Sequence, residues 1–371
     1  MDRDWMTDML LNITPENIRP LVEKIGAGER ISPREALTLY REAPLSLLGV
    51  LATGVKEQKS GREVFYNRNF HIEPTNICAF HCAFCSYRRP ADAPDSWRHS
   101  LDEVLEQATR YRDSGVTEVH IVGGADPLHD LFYYEQMIRQ IRAVLPGVTV
   151  KAFSAVELDF MIGKAGLSLE EGLRRLKEAG METMPGGGAE IFDEEIRRQI
   201  CPEKSSADRW LEVHRTAHRL GMPTNATMLY GHIETETHRI DHLDRLRRLQ
   251  DETGGFNAFI PLKYRHAGNE LSHLGEVPIT DDLRTLALSR IFLDNFPHLK
   301  AYWPMYGQQT TQLALAFGAD DIDGTIDDTT RIYSMAGAQD DRPVMSVEAM
   351  RQLIREAGYI PVERDSFYKA V

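Results

Sequence analysis

Residues 69–85, NFHIEPTNICAFHCAFC, join an apolar strand pattern to a loop that carries three cysteines. Cys78, Cys82 and Cys85 follow a C-x3-C-x2-C spacing, and no fourth cysteine lies nearby in the sequence. Structural zinc usually takes four protein ligands, and an iron–sulfur cubane usually takes four thiolates. Three thiolates in one loop favour an iron–sulfur cluster that keeps one metal position open for a substrate. The alternative is a zinc loop that His81 or the distant Cys201 completes.

Outward from this loop, short apolar runs alternate with amphipathic helical patterns through most of the chain. The strand candidates are residues 69–75, 118–123, 149–154, 183–186, 224–230, 258–263, 300–305 and 321–325. Repeated βα units give a parallel sheet. Eight units over this length predict an α/β fold with a closed (β/α)8 barrel of the TIM type, rather than an open doubly wound sheet.

Three parts are predicted along the chain. Residues 1–66 form an N-terminal helical extension, residues 67–345 form the barrel, and residues 346–371 form a C-terminal helix and tail. Two prolines mark helix starts in the extension, one after Thr14 and one after Ser32. Glu35 stands three residues after Ser32, which is the spacing of a capping box.

Composition restricts the classes of function. The chain has 371 residues, of which 42% are hydrophobic and 27% are charged, as is typical of a globular protein. Its net charge of −13 argues against nucleic-acid partners, which need a basic face. Four cysteines, three of them clustered, do not make a disulfide framework. We expect a cytoplasmic protein without membrane contact, because neither a signal-peptide pattern nor a membrane-length apolar run is present.

The active site of a parallel barrel lies at the carboxyl ends of its strands, so the residues that follow each strand candidate are site candidates. Each has a simpler interpretation as a turn, a helix N-terminus or a solvated loop. The candidates are Gly123 and Gly124 after the second strand, Ser154 and Glu157 after the third, Gly186, Gly187, Gly188 and Glu190 after the fourth, His232 and Glu234 after the fifth, and Lys263, Tyr264 and Arg265 after the sixth. Arg88 and Arg89 follow the cysteine loop.

The cysteine spacing, with Phe84 before the last cysteine, resembles the signature of the radical S-adenosylmethionine (SAM) superfamily. The resemblance implies a [4Fe-4S] cluster on Cys78, Cys82 and Cys85, whose open iron chelates SAM and whose reduced form cleaves it to methionine and a 5′-deoxyadenosyl radical. Gly123-Gly124 is similar to the superfamily's motif that receives the methionine amino group. The full set of expected cofactor-binding residues is Phe84, Gly123, Gly124, Ser154, Glu157, Gly187 and Glu190.

Longer stretches carry a closer resemblance, which spans roughly residues 67–340. They include MPGGGAEIF at 184–192, TNATMLYGHIET at 224–235 and FGADDIDGT at 317–325. Together they resemble the futalosine-pathway radical enzymes of menaquinone biosynthesis, most of all the synthase branch that makes aminofutalosine. The loop at 263–269, KYRHAGN, is more basic than in that branch.

The resemblance implies a transferase that consumes SAM. In such an enzyme the 5′-deoxyadenosyl radical adds to 3-[(1-carboxyvinyl)oxy]benzoate, the aryl group migrates and a carboxyl group leaves, giving 6-amino-6-deoxyfutalosine. The expected catalytic or substrate-binding residues are His232, Glu234, Arg88, Lys263 and Tyr264, and the expected electron donor is a protein such as flavodoxin or ferredoxin. The alternatives are the sister cyclase, which makes cyclic dehypoxanthine futalosine, and a non-catalytic iron–sulfur or zinc protein. Cys201 is interpreted as an inert buried thiol.

Overall fold

The structure of the protein is a computed structural model, which describes residues 14–326, 330–337 and 343–371. The targeting expectation depends largely on residues before 14, which lie outside this part. The strands are β1 Glu63–Asn67, β2 Asn69–Ile72, β3 Glu118–Ile121, β4 Thr149–Ala152, β5 Met181–Thr183, β6 Thr224–Tyr230, β7 Phe256–Lys263, β8 His298–Leu299, β9 Asp321–Gly324 and β10 Ile360–Glu363. Within the same residues, none of the helices combines the length and apolar character that crossing a bilayer requires.

The strands close into a parallel barrel. β1 and β2 are successive halves of one interrupted strand, since β1 pairs with β9 and β2 pairs with β3. The series continues through β4 and β5, and through β6, β7 and β8. Single bridges between Met184 and Thr224, and between Lys300 and Asp321, complete the ring. The predicted (β/α)8 fold is therefore confirmed.

Helices follow the strands around the barrel. The longer ones are Arg19–Gly26, Pro33–Glu42, Leu45–Ser60, Leu101–Thr109, Leu131–Val144, Ala155–Lys164, Leu169–Ala179, Ala207–Arg219, Glu236–Thr253, Ile279–Phe292 and Val347–Glu356. The shorter ones are Glu194–Ile200, Trp303–Tyr306, Gln308–Ala314 and Ile332–Met335, with 3₁₀ turns at Ser272–Leu274 and Leu315–Phe317. The capping box of Ser32 and Glu35 is present. The helix expected after Thr14 begins only at Arg19.

Two strands and one strand boundary differ from the sequence-based prediction. β1 begins at Glu63, before residue 67, and β10 lies within the expected tail, where it pairs with β1. The strand predicted at 300–305 lies earlier, as β8 at His298–Leu299, and the predicted range instead enters a short helix that begins at Trp303 and has Pro304 in its first turn. The remaining strand candidates are all present, and β6 has the predicted bounds.

The C-terminal tail closes the amino-end side of the barrel. Arg364 donates to Asp321 at the start of β9, with Nε–Oδ2 at 2.5 Å. Ser366 donates to Glu118 at the start of β3, with Oγ–Oε2 at 2.7 Å. All four side chains are buried. The barrel interior is consequently sealed at this end, and its access lies at the carboxyl ends of the strands.

Candidate active site

A cavity of about 310 Å³ lies inside the barrel and reaches the cysteine loop. Of the predicted site residues, the lining includes Cys78, Cys82, Phe84, Cys85, Arg88, Gly123, Gly124, Ser154, Glu157, Gly187, Glu190, Lys263 and Tyr264. His232 and Glu234 are not among the lining residues. The structure thus brings most of the candidates to one cavity and leaves this pair outside it.

The cysteine loop is fixed by backbone hydrogen bonds. Ala79 donates to the Ala125 carbonyl and Ala83 to the Ile200 carbonyl, both at 2.8 Å. Two sulfurs accept backbone N–H groups at 3.4 Å, Cys78 from Ala125 and Cys85 from Arg88. All three cysteines are free thiols. Among the described residues, no three His, Cys, Asp or Glu side chains are arranged to hold one metal ion.

Gly123 and Gly124 are required by the packing of this loop. A Cβ atom at Gly124 would lie 2.1 Å from the carbonyl oxygen of Ile77, and one at Gly123 would lie 2.8 Å from that of Thr75. The Gly124 N–H donates to the same Thr75 oxygen at 2.8 Å. Glycine therefore allows the exit of β3 to lie directly against the cysteine loop.

The three glycines after β5 have different roles. A Cβ atom at Gly186 would lie 2.6 Å from the backbone carbon of Ala226 on β6, and Gly188 has a φ of 85°. At Gly187 the nearest atom to such a Cβ is the Ser154 Cβ, at 3.4 Å. Gly186 is therefore required by the close approach of two neighbouring strands rather than by a ligand.

Ser154 and Glu157 form the capping box of helix Ala155–Lys164, which the sequence analysis did not predict. The Glu157 carboxylate also accepts the Gly123 N–H, with N–Oε1 at 3.0 Å. Burial raises the pKa of Glu157 to about 7, although its hydrogen bonds oppose that shift. One side chain therefore joins the exits of β3 and β4 beside the cysteine loop.

Glu190 has a left-handed backbone, with φ 49°, and pairs with Lys204 at an Nζ–Oε1 distance of 2.6 Å. The Lys204 ammonium also lies 5.1 Å from the centre of the Phe84 ring, so it interacts with the cysteine loop. Lys204 lines the cavity but was not predicted. It lies between two helices rather than directly after a strand, so the strand-end rule did not include it.

The cationic candidates differ in how far neighbouring groups neutralise them. Lys263 pairs with Asp282 at 2.9 Å, and Arg265 lies 3.3 Å from Glu276. Arg88 lines the cavity, no carboxylate of the described residues pairs with it, and its Nε has no hydrogen-bond partner there. Tyr264 donates to Asn269, with the two oxygens 2.6 Å apart. Arg88 is the cation best placed to receive an anion.

His232 and Glu234 belong to a buried ion-pair network outside the cavity. Glu234 accepts the backbone N–H groups of Gly231 and His232 and pairs with Arg239 at 2.8 Å. Arg239 in turn donates to the Tyr40 hydroxyl at 2.7 Å, which joins this network to the N-terminal helix Pro33–Glu42. Neither the His232 nor the Glu234 side chain has solvent-exposed area.

The architecture matches that of known radical enzymes. Methylornithine synthase has the same fold, with a TM-score of 0.73 and 16% identity over 92% of this chain and 97% of that one. The model of the Radical SAM superfamily matches residues 72–246. The model of the CofH/MqnC C-terminal region matches residues 253–371. The barrel and its three-thiol loop thus define the class as that of radical SAM enzymes.

Relatives that match nearly the whole chain show which family within this superfamily the chain belongs to. Aminodeoxyfutalosine synthase of Thermus thermophilus is 45% identical, over 95% of both chains. That of Streptomyces coelicolor is 40% identical over 95% of this chain and 93% of its own. Cyclic dehypoxanthine futalosine synthase of Streptomyces coelicolor is 36% identical over 95% of this chain and 88% of its own. The chain belongs to the radical SAM superfamily and, within it, to the family of these enzymes, and this membership implies a [4Fe-4S] cluster and SAM.

Proposed function

We propose that the chain is an aminodeoxyfutalosine synthase, which joins the 5′-deoxyadenosyl group of SAM to 3-[(1-carboxyvinyl)oxy]benzoate with loss of a carboxyl group. The observation that carries this proposal is the identity of 45% with one such synthase over 95% of both chains. The cyclase relative is 36% identical over a similar span. The cavity beside three free thiols supports the same activity.

Cys78, Cys82 and Cys85 would hold the cluster. Their sulfurs fit this role because thiolates select iron–sulfur clusters, and because two of them already accept backbone N–H groups that would support the ligated form. When bound and reduced, the cluster supplies the electron that cleaves SAM. Gly123 and Gly124 let the backbone after β3 pack directly against the loop, and Glu157 would fix its orientation through the Gly123 N–H.

The remaining lining residues would bind and orient the substrate. It carries two carboxylates, and an arginine without an acidic partner suits one of them, because guanidinium binds carboxylate in a bidentate manner. Arg88 meets that description beside the cysteine loop. The sealed amino end of the barrel excludes water from below, which protects a radical during its lifetime.

The test is an anaerobic turnover. The reconstituted protein receives dithionite, SAM and 3-[(1-carboxyvinyl)oxy]benzoate, and the products are identified by mass spectrometry. We expect a product whose mass corresponds to the adenosyl group joined to the substrate less one carboxyl group. Methionine and free 5′-deoxyadenosine, with the benzoate intact, would overturn the synthase assignment.

The cyclase is the second candidate, because one such enzyme is 36% identical over 95% of this chain. A cyclase would abstract hydrogen and release 5′-deoxyadenosine, whereas a synthase incorporates the adenosyl group into its product. The same assay with a dehypoxanthine futalosine substrate separates the two. A flavodoxin or a ferredoxin is the proposed electron donor, and replacing dithionite with either reduced protein tests that part.

A further inference from the structure

The inner end of the cavity is polar, where barrels of this type are usually filled by branched apolar side chains. His71 on β2, His120 on β3 and Lys151 on β4 occupy paired positions on adjacent strands. His120 and Lys151 line the cavity together with Glu118, Lys300 and Asp323. We call these five cavity-lining residues the floor.

The floor lies deep below the cysteine loop. His120 on β3 is three residues before Gly123, which follows that strand, and Lys151 on β4 is three residues before Ser154. At a rise of about 3.3 Å per residue, the floor lies roughly 10 Å below the level at which Gly123 and Ser154 line the cavity. A ligand that reacts at the cysteine loop therefore reaches the floor only with its far end.

The charges of the floor and of the tail beneath it balance. Lys151 pairs with Glu118 at 2.5 Å, Lys300 pairs with Asp323, and Arg364 pairs with Asp321. An incoming anion thus meets no excess of negative charge. Lys151 has one hydrogen-bond acceptor in the described part of the chain, Glu118, so N–H donors of its ammonium group remain available.

His120 takes no part in these ion pairs, so a structural role in the network does not explain its position. Its Nε2 is buried and has no hydrogen-bond partner among the described residues. A buried polar atom without a partner is costly, so it calls for a ligand or another role. Burial and the neighbouring Lys151 lower the pKa of His120 well below its ordinary value, so the imidazole is neutral and offers one N–H.

We propose that His120 and Lys151 form a carboxylate subsite that binds the benzoate carboxylate of the substrate. The assignment rests on the proposed synthase function. The radical adds to the vinyl carbon, so the vinyl carboxylate stays near the cysteine loop, where Arg88 lies, and the ring carboxylate is the group farthest from the reacting carbon. His120 and Lys151 are positioning residues that set the depth of the substrate and select an aryl carboxylate.

The test measures binding without turnover. The anaerobic holoenzyme with SAM and no reductant is titrated calorimetrically with 3-[(1-carboxyvinyl)oxy]benzoate and with its analogue in which a carboxamide replaces the ring carboxylate. We expect the wild type to bind the acid about tenfold to a hundredfold more tightly, as charge-assisted hydrogen bonds warrant. In His120→Phe and in Lys151→Gln the ratio should fall close to one.

Controls separate the possible failures. Lys177→Gln removes a surface lysine charge outside the cavity and should keep the wild-type ratio. A second analogue carries the carboxamide at the vinyl carboxylate instead. The ratio of the affinity for the acid to the affinity for this analogue should be the same in wild type and in both variants. His120→Phe keeps an aromatic ring against His71 and removes no hydrogen-bond partner from any other described residue, so it decides the question even if Lys151→Gln does not fold. Variants that keep the full preference for the ring acid would overturn the subsite, whereas a wild type that binds neither ligand would overturn the proposed function itself.

Discussion

Glu157 and Glu234 are two buried carboxylates that follow strands of the same barrel, and each accepts two backbone N–H groups. Glu157 lines the cavity, and burial raises its pKa to about 7. Glu234 lies outside the cavity, and His232 and Arg239 hold its pKa below the ordinary value against desolvation. The difference between the two carboxylates is the ion pair, because Arg239 pairs with Glu234 whereas no cation of the described residues pairs with Glu157. Glu157 orients a loop of the site, and Glu234 holds the N-terminal helices to the barrel.

The largest expected effect is the loss of turnover when a cysteine of the cavity-lining loop is replaced. Cys78→Ala, Cys82→Ala or Cys85→Ala should each abolish both the visible absorbance of the reconstituted cluster and product formation, because each removes a proposed thiolate ligand. Cys201→Ala is the matched control, since Cys201 is buried and does not line the cavity. Full activity in any of the three loop variants would break the assignment of the site.

The next effect concerns Glu234 and its contribution to the free energy of unfolding. Glu234→Gln should lower the free energy of unfolding by about 1.5–3 kcal/mol at pH 7, because the buried Arg239 then keeps only Asp281 as a carboxylate partner. Because the pKa of Glu234 is lowered in the fold, its contribution is present above the ordinary glutamate pKa and is lost as the pH falls through the folded value. The difference from wild type should therefore shrink in acid.

Urea unfolding at several pH values measures this effect. Glu236→Gln is the matched control, because Glu236 pairs with Arg41 at the surface, where such pairs contribute less than about 1 kcal/mol. Equal losses in Glu234→Gln and Glu236→Gln would contradict the buried network as a stabilising element.

The same substitution at Glu157 should act with the opposite sign. A raised pKa means that the folded protein binds the proton more tightly, so wild-type stability falls as the pH rises from about 4.3 to about 7. Glu157→Gln lacks this loss and should be more stable than wild type at pH 8, by up to about 4 kcal/mol, because the folded and unfolded pKa values differ by nearly three units at about 1.4 kcal/mol each. Urea unfolding of the cluster-free protein at pH 5 and pH 8 gives the sign.

Glu157→Gln should nevertheless bind SAM about tenfold less tightly in the holoenzyme, because side chains that hold the binding groups of a site in place typically contribute this much. Calorimetric titration without reductant measures the affinity. A variant that is destabilised at pH 8, like Glu234→Gln at pH 7, would remove the distinction between the two carboxylates.

Much of the fold was predictable because alternating βα patterns and glycine turns are local signals. Two strands were missed for a physical reason. β1 and β10 pair with each other across nearly 300 residues of sequence, and no local pattern reports such a partner. Helix Ala155–Lys164 was missed because its capping box follows β4 directly and was interpreted as part of the site.

The candidate site, too, was predictable only where a local sequence pattern marked its residues. The strand-end rule found the residues at the level of the cysteine loop, since parallel strands end at one edge. The rule gives the edge but not the direction of a side chain, so it included His232 and Glu234, which point into an ion-pair network. It omitted His120 and Lys151 because they lie within strands, and Lys204 because it lies between helices. A lysine or histidine inside an otherwise apolar strand pattern was the signal that could have indicated the floor.

The smallest expected effect is the loss of a helix N-cap, which can be compared at Ser154 beside the cavity and at Ser32 in the N-terminal extension. Ser154→Ala and Ser32→Ala each remove the N-cap of a capping box, and each should lower the free energy of unfolding by about 1 kcal/mol. Only Ser154 also donates to the carboxylate that orients Gly123, with Oγ–Oε2 of Glu157 at 2.6 Å. Ser154→Ala should therefore weaken SAM binding as well, whereas Ser32→Ala should not. Equal SAM affinities in the two variants would show that Glu157 keeps its orientation without the cap, and would restrict its positioning role to the backbone N–H groups.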